Sequence, residues 1–239
     1  MNMNQVNLLV RNTDFEQFDN IITASQYIKL YDLTNKYTDK DSICLDWGMG
    51  DGHFSYYLLQ KNRKVYSFTL DKKSIKISND ADIYLTIGDD SKRLPYENEY
   101  FDIVFSVGVL EHVRETGGNE INSLIEIKRV LKPGGIFICY HFPNKYSWIE
   151  RIIELLLPNK FHHLYKFSKK DIFDLLKEVD FKCLEHSRYG FLPRNIFKLF
   201  PKFVKNNLLL SFCYNGLDVF LGLVFNIINQ NHYFIAKKK

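Results

Sequence analysis

Cysteine is scarce in this chain of 239 residues, and its cysteines are not spaced as metal or redox ligands usually are. No C-x-x-C pair occurs, so zinc and redox sites lack their spacing signature and we expect no metal site. A free cysteine behaves as a small hydrophobic residue, so we expect buried free thiols. The cysteines are Cys44, Cys139, Cys183 and Cys213.

An excess of charge of one sign is also missing. The formal net charge is +4 at pH 7, whereas nucleic-acid-binding domains usually carry a strong, clustered basic face, so we expect no nucleic-acid partner. Residues 1–5 contain no basic region leading into an apolar core, so we expect no secretory signal and a cytoplasmic protein. Internal repeats and linkers rich in proline, glycine or serine are absent, which predicts one domain over residues 1–239.

Short apolar runs alternate with segments of helical spacing. This alternation is typical of an α/β fold with a doubly wound, mostly parallel, Rossmann-like sheet that has helices on both faces. Seven strands are predicted, at residues 43–45, 65–70, 83–86, 101–107, 136–141, 181–186 and 232–236. Helices are predicted within 14–37 and near 53–61, 120–131, 146–156 and 169–178. We therefore divide the chain into N-terminal helices (1–40), a core (41–142) and substrate-side elements (143–239) that include an apolar insert at 191–230.

A glycine-rich loop follows the first predicted strand and carries most information about function. It reads D-W-G-M-G-D-G over residues 46–52 and leads into a helical pattern. Glycine permits positive φ and close approach of a ligand to the backbone, and a strand-to-helix turn presents unpaired N–H groups. The spacing differs from the dinucleotide G-x-G-x-x-G fingerprint, because His53 stands at its last position, and no Gly-Lys-Ser/Thr ends the loop as in a P-loop.

The segments that follow repeat this pattern of strand and polar residue. Asp71 ends the second strand, where an acidic side chain is well placed to accept from ribose hydroxyls. Gly88-Asp89-Asp90 follows the third strand, Ser106 and Val107 end the fourth, and Leu110-Glu111-His112-Val113 comes next. Over roughly residues 40–141, the order and spacing of these elements resemble those of the class I S-adenosylmethionine-dependent methyltransferases, particularly the group acting on small molecules, lipids and sugars.

The resemblance implies S-adenosylmethionine as cofactor and S-adenosylhomocysteine as product, and it gives roles to individual residues. Asp46 would support the loop and the cofactor's amino-acid end, with Gly48, Met49 and Gly50 close to it. Asp71 would hold the ribose hydroxyls, Asp89 would accept from the adenine amino group, and the Asp90 amide would face the ring. Ser106 and Val107 would line the methionine end. Trp47 and His53 are bulkier than the family pattern leads us to expect.

Two histidines are candidates for a catalytic base. His112 follows the fourth strand and His141 ends the fifth, so both belong to the carboxyl edge of the predicted sheet. A positioned base adds roughly 10²–10⁴-fold to transfer onto a hydroxyl. A histidine bonded to a nearby loop is the structural alternative for each. His162 and His163 are candidates for a substrate lid.

The apolar insert at 191–230 has three interpretations. Residues 208–228 are long enough for a bilayer, which needs about 20 residues, but Asp218 lies in their middle and is unfavourable at a membrane centre. Residues 194–205 mix basic and apolar side chains like one interfacial helix, which predicts peripheral membrane contact. The third interpretation is a set of helices that cap the active site. All three interpretations favour an apolar acceptor pocket.

These observations predict direct, in-line methyl transfer to a small-molecule, sugar or lipid-linked acceptor, directed to oxygen. One alternative is a methyltransferase fold that has lost activity and serves as a scaffold or partner subunit. Another is a nucleic-acid methyltransferase, although residues 108–111 read G-V-L-E where the base-amino enzymes have N/D-P-P-Y/F, and no cysteine lies in a suitable loop. A nicotinamide oxidoreductase is disfavoured by His53.

Overall fold

The protein is built around one seven-stranded sheet in this computed structural model, which describes residues 3–70, 75–77, 82–88, 93–157 and 163–239. The strands are β1 (Ile43–Trp47), β2 (Lys64–Thr69), β3 (Ile83–Ile87), β4 (Phe101–Val107), β5 (Leu131–Pro143), β6 (Phe181–Tyr189) and β7 (Asn231–Lys238). Their order across the sheet is β3-β2-β1-β4-β5-β7-β6. All neighbours are parallel except β7, which is antiparallel to β5 and β6. The predicted Rossmann-like, mostly parallel sheet is confirmed.

The described helices agree with the predicted segments. They are α1 (Met3–Asn12), α2 (Ile21–Ala24), α3 (Ile28–Tyr37), α4 (His53–Leu59), α5 (Glu120–Val130), α6 (Trp148–Leu156), α7 (Lys169–Glu178), α8 (Lys202–Lys205) and α9 (Leu208–Val224). Short 3₁₀ segments lie at Glu16–Phe18, Ser25–Tyr27, Leu110–Thr116, Asn195–Leu199 and Asn226–Ile228. Ser168 is the N-cap of α7 and forms a full capping box with Asp171, which satisfies N–H groups left unpaired at a helix start.

Apolar side chains cover both faces of the sheet. On one face, Leu45 and Val104 pack in a cluster that includes Leu124 of α5 and Ile172 of α7. The other face forms a second cluster, in which the N-terminal helices and α4 cover β1, β4 and β5. Because successive strand residues point to opposite faces, a strand covered on both sides is apolar throughout, as the sequence indicated.

The register of the central strands brings the candidate residues to one edge. Trp47, the last residue of β1, is paired with Ser106 near the end of β4, and Ser106 is paired with Cys139 of β5. The carboxyl ends of parallel strands meet at the same edge, where ligands bind in open α/β sheets. The glycine loop after β1, the turn after β4 and His141 near the end of β5 therefore share that edge.

The C-terminal insert differs from the sequence-based expectation in two respects. The single interfacial helix predicted for 194–205 is wrong, because Asn195–Leu199 and α8 are separate short segments on either side of Pro201. Arg194 does not contribute to an exposed basic face, since it is buried and paired with Asp218 at 2.6 Å. Cys213 on α9 is exposed, so the expectation of buried thiols is wrong for that residue.

Helix α9 is oriented with its polar side toward the protein. Its small and polar residues Ser211, Asn215, Asp218 and Gly222 recur at helical spacing, and three of them are buried. Asn215 accepts hydrogen bonds from Ser25 Oγ (2.8 Å) and Arg194 Nη1 (2.6 Å). Consequently the apolar side chains of α9 face outward, the reverse of an ordinary surface helix.

None of the helices in the described ranges combines the length and the apolar character that crossing a bilayer requires.

Candidate active site

The loop after β1 has a backbone that only glycine adopts easily. Gly48, Gly50 and Gly52 all have positive φ, at 79°, 55° and 98°. The N–H groups of Gly48 and Met49 both donate to the carbonyl of Phe68, which ties the loop to the end of β2. A Cβ added at Gly48 would lie 2.4 Å from a methyl carbon of Val109, well inside van der Waals contact. Position 48 therefore requires glycine for both its conformation and its neighbour.

The middle of the loop faces open space. A Cβ built on Gly50 would meet no atom of the described residues within 4 Å. The turn leads directly into α4, whose first N–H groups point back toward the loop. The loop therefore leaves room at Gly50 for a cofactor lying against the backbone.

Asp46 supports the glycine loop through its carboxylate. Its carboxylate is buried and accepts a hydrogen bond from Ser55 Oγ at 2.6 Å, and Ser55 in turn contacts Ser67 Oγ at 2.7 Å. Burial raises the pKa of Asp46 to about 6, although the hydrogen bond from Ser55 opposes that shift. This agrees with a supporting role beneath the loop, whereas contact of Asp46 with the cofactor stays a prediction.

The residues proposed for the ribose and the adenine, Asp71, Asp89 and Asp90, lie outside the described residues, as does His162. Their roles stay predictions. The described residues beside them place the two segments at the same edge, since Gly88 N–H donates to Thr69 O at 2.9 Å.

Ser106 and Val107 have different environments at the end of β4. Ser106 is buried, and its Oγ accepts from the N–H of Leu110 at 3.2 Å, which holds the turn that follows the strand. Val107 and Gly108 line a cavity above the sheet edge. Gly108 has φ 72° and donates to Tyr140 O at 2.9 Å, so the ends of β4 and β5 remain joined beneath this cavity.

The cavity has a volume of about 1200 Å³. This exceeds the roughly 300–1,000 Å³ of ordinary small-molecule pockets. One wall is apolar and comes from α6, the residue after it, and α9; its side chains are Ile149, Ile152, Ile153, Leu157, Val219 and Leu223. The polar side chains nearest the sheet edge are His53, Glu111, His112, Tyr140, His141, His163 and Tyr189.

His141 is held in an unusual conformation beside Tyr189. Its φ of 67° is rare for a residue that is not glycine. Its backbone N–H donates to the Tyr189 hydroxyl at 3.0 Å, and that hydroxyl lies 2.7 Å from His141 Nδ1. In the tautomer in which the Tyr189 hydroxyl donates to Nδ1, the ring proton lies on Nε2. Nε2 is buried and has no hydrogen-bond partner among the described residues.

Burial lowers the pKa of His141 to about 3, and the nearby His53, His163 and Arg194 act in the same direction. The imidazole is therefore neutral at physiological pH. In the tautomer with the proton on Nε2, it suits donation of a hydrogen bond to an acceptor atom better than removal of a proton.

His112 also lines the cavity and lies on the 3₁₀ segment after β4. Its Nδ1 is 2.8 Å from Glu115 Oε1, and its ring lies 5.8 Å from that of His163. The preceding residue, Glu111, was not predicted as a site residue. It is buried, burial raises the pKa of its carboxyl to about 8, and Oε2 has no hydrogen-bond partner among the described residues. The sequence did offer a signal for Glu111. It is an acidic residue between Leu110 and Val113, directly after the carboxyl end of a strand.

Known proteins share this fold and loop. A family profile described as a methyltransferase domain matches residues 45–139. An uncharacterised protein from Methanocaldococcus jannaschii is 32% identical over 196 residues, which cover 80% of this chain and 76% of that protein. The chain belongs to the class I S-adenosylmethionine-dependent methyltransferases.

Curated enzymes match about half of this chain. The ubiquinone biosynthesis O-methyltransferase of Roseobacter denitrificans is 31% identical, over 43% of this chain and 43% of that enzyme. The ubiquinone/menaquinone biosynthesis C-methyltransferase of Bartonella quintana is 29% identical, over 52% of this chain and 46% of that enzyme. The matched segment thus spans less than half the length of each enzyme.

A solved S-adenosylmethionine-dependent methyltransferase from Thermotoga maritima has the same fold. It superposes with a TM-score of 0.59 at 16% identity, covering 99% of this chain and 93% of the other.

Three of the described site residues line this cavity, and the glycine-loop residues Gly48, Met49 and Gly50 are not among them. Val107, His112 and His141 all line it, whereas Asp46 and Ser106 lie buried beneath the sheet edge and hold the loops. The turn after β4 and the end of β5 supply one part of the cavity wall, and the insert supplies another.

The low pKa of His141 predicts a specific dependence of stability on pH. Between about pH 6.5 and pH 3 the unfolded chain binds a proton at this residue and the folded protein does not. The free energy of unfolding therefore falls as the pH falls, by about 1.4 kcal/mol per pH unit for one proton. His141→Asn, which tolerates positive φ and never ionises, should show a slope smaller by that amount in urea unfolding at pH 4 to 7. Parallel slopes for the two proteins would contradict a neutral His141.

Proposed function

We propose that this protein transfers a methyl group from S-adenosylmethionine to a hydroxyl oxygen of a small apolar or lipid-linked acceptor taken from a membrane surface. The observation that carries the proposal is the position of the cavity's mouth. Val219 and Leu223 of α9 line the cavity, yet their side chains are 62% and 72% exposed. The cavity therefore opens onto the apolar outer side of the insert.

The cofactor supplies a methyl carbon bound to a positively charged sulfur, which is already activated toward a nucleophile. The protein's contribution is then to bind and orient the acceptor, and proximity and orientation are worth roughly 7–11 kcal/mol in favourable cases. The buried polar groups of Tyr189 and His141 are positioned to orient a hydroxyl at the sheet edge.

The outer surface around the cavity mouth is unusually apolar. The contributing side chains are all exposed and belong to α6 and the insert: Ile152, Leu155, Leu156, Leu157, Leu199, Phe203, Leu209, Phe212, Val219, Phe220, Leu223, Val224 and Ile227. Large exposed apolar patches on folded proteins mark interaction surfaces. An apolar acceptor that enters through this surface stays out of water along its path.

The charges of the insert favour an anionic lipid surface as the partner. Within 191–230 the sole acidic residue is Asp218, which is buried, so the exposed charges come from Lys198 and Lys202. Lys198 and Lys205 also contact Glu16 and Asp19 of the N-terminal segment. Basic residues bordering an apolar surface are typical of proteins that lie in the interface of anionic membranes.

Gly50→Ala should abolish or strongly weaken cofactor binding while the protein still folds. The added Cβ meets no described atom, so the folding penalty is limited to about 1–2 kcal/mol for the left-handed backbone. A cofactor lying in that space would clash with it. S-adenosylmethionine titration calorimetry should show an affinity at least tenfold lower than that of wild type.

Gly216→Ala is the matched control. Gly216 lies in α9, where an added Cβ also meets nothing within 4 Å, and alanine is the better helix former. Unchanged binding in Gly50→Ala, or equal loss in both variants, would contradict the proposed cofactor site.

Replacing two exposed apolar residues of α9 should prevent membrane binding. Burial of a phenylalanine or leucine side chain is worth about 1.5–3 kcal/mol, so Phe212→Glu with Leu223→Glu should weaken binding to phosphatidylglycerol vesicles at least tenfold. Vesicle flotation measures this. Ile125→Glu on α5, where the native side chain is 52% exposed, is the control and should float like wild type.

Wild type that stays out of the vesicle fraction and migrates as a dimer would overturn the membrane proposal and assign the apolar surface to a second copy of the chain.

Methyl transfer itself can be followed with S-adenosylmethionine labelled in its methyl group and vesicles that contain a long-chain phenol. The labelled methyl group should appear in a methyl ether. A methyl group found on ring carbon would contradict transfer to oxygen.

A further inference from the structure

Two histidines and a carboxylate converge in the wall of the acceptor cavity. Ligand-type atoms of Glu111, His112 and His163 all lie within 4.8 Å of one another. His112 Nε2 is 4.0 Å from Glu111 Oε1, and all three residues line the cavity. Glu111 and His112 belong to the turn after β4, whereas His163 comes from the segment between α6 and α7. Two separate parts of the chain thus bring these groups together.

Both imidazoles are oriented by a carboxylate on the ring nitrogen away from this cluster. His112 Nδ1 is 2.8 Å from Glu115 Oε1, and His163 Nδ1 is 2.9 Å from Glu150 Oε1. Glu150 also accepts from the backbone N–H of His163, at 3.2 Å. A carboxylate on the second nitrogen fixes the tautomer and orientation of metal-binding histidines. Since the carboxylates contact Nδ1 of each ring, the ligand atom in a metal site here would be Nε2.

Glu111 supplies an independent observation at the same place. Its side chain is almost fully buried, and Oε2 has no hydrogen-bond partner among the described residues. A buried polar oxygen without a hydrogen-bond partner is costly. A cation between Glu111 and the two imidazoles would remove that cost.

We propose that Glu111, His112 and His163 bind a divalent transition-metal ion such as Zn²⁺, with one coordination position left toward the acceptor cavity. Two imidazoles and one carboxylate are a common set of ligands for zinc in sites that keep an open position. Imidazole also favours zinc, copper, iron or nickel over magnesium and calcium. Zinc–ligand distances of 2.0–2.2 Å put tetrahedral ligands about 3.3 Å apart, so the side chains move inward by about 1 Å on binding.

The role of the ion rests on the proposed function, although the binding site itself does not. The hydroxyl oxygen of the acceptor takes the open position and loses its proton to solvent, because a bound cation lowers the pKa of a coordinated hydroxyl. The oxygen then forms a bond to the methyl carbon. The carbon–sulfur bond breaks, its electron pair stays on sulfur, and the positive sulfonium becomes a neutral thioether.

Metal titration of the full chain, without cofactor or acceptor, tests the site. Protein treated with a chelator and then titrated with ZnCl₂ in a calorimeter should bind one ion per chain. Glu111→Gln and His163→Asn should each lower the affinity at least tenfold, and Glu150→Gln should lower it roughly 10–100-fold through His163. His186→Asn removes an imidazole from β6, outside this cluster, and should leave the affinity unchanged.

Absence of stoichiometric zinc binding, or equal binding by wild type, Glu111→Gln and His163→Asn, would overturn the metal site. Circular dichroism shows whether each variant is folded, and Glu111→Gln preserves side-chain shape if His163→Asn does not fold. S-adenosylmethionine titration of the same samples separates the two proposals. Zinc binding without cofactor binding supports the metal site and defeats the proposed function, and the reverse result defeats the metal site alone.

Discussion

The position of the C-terminal insert at 191–230 depends on one buried ion pair, between Arg194 and Asp218. Arg194 Nη2 lies 2.6 Å from Asp218 Oδ2, and Arg194 Nη1 donates to the carbonyl of Ile22 at 2.8 Å. Asp218 Oδ1 accepts from the N–H groups of Phe191 and Leu192 at 2.8 and 2.6 Å. The pair thereby joins the start of the insert, the middle of α9 and the N-terminal helices. Removing one partner of such a pair typically costs about 3–5 kcal/mol, because the other charge is left buried and unpaired.

This constraint explains why an apolar helix can face solvent and still stay in place. Since the polar side of α9 is bound inward, its position does not depend on burying its apolar side. The outward apolar side is then available for a lipid surface, and the inward side closes a cavity above the sheet edge. The proposed acceptor cavity and the proposed membrane contact both depend on this orientation of one helix.

The sheet and the glycine loop were predictable because their signals are local. Apolar strands, turn glycines and a capping serine each act within a few residues, and the structure has them where the sequence indicates. The argument from Asp218 against a membrane span holds. The partner of Asp218, however, lies 24 residues away, and no local pattern in the sequence reveals that pairing. The proposed metal cluster is similar, since Glu111 and His163 belong to different loops. Sequence periodicity also predicts that one side of α9 is apolar without showing which side faces the protein.

Amide hydrogen exchange across the whole chain, compared between wild type and Asp218→Asn, tests the role of the ion pair most directly. If the pair holds the insert over the cavity, α9 and the amides of Phe191 and Leu192 should exchange at least 100-fold faster in the variant. Amides of β1, β4 and β5 should change far less, because the sheet does not depend on the insert. Unchanged protection of α9, or an equal loss of protection throughout the sheet, would contradict the account.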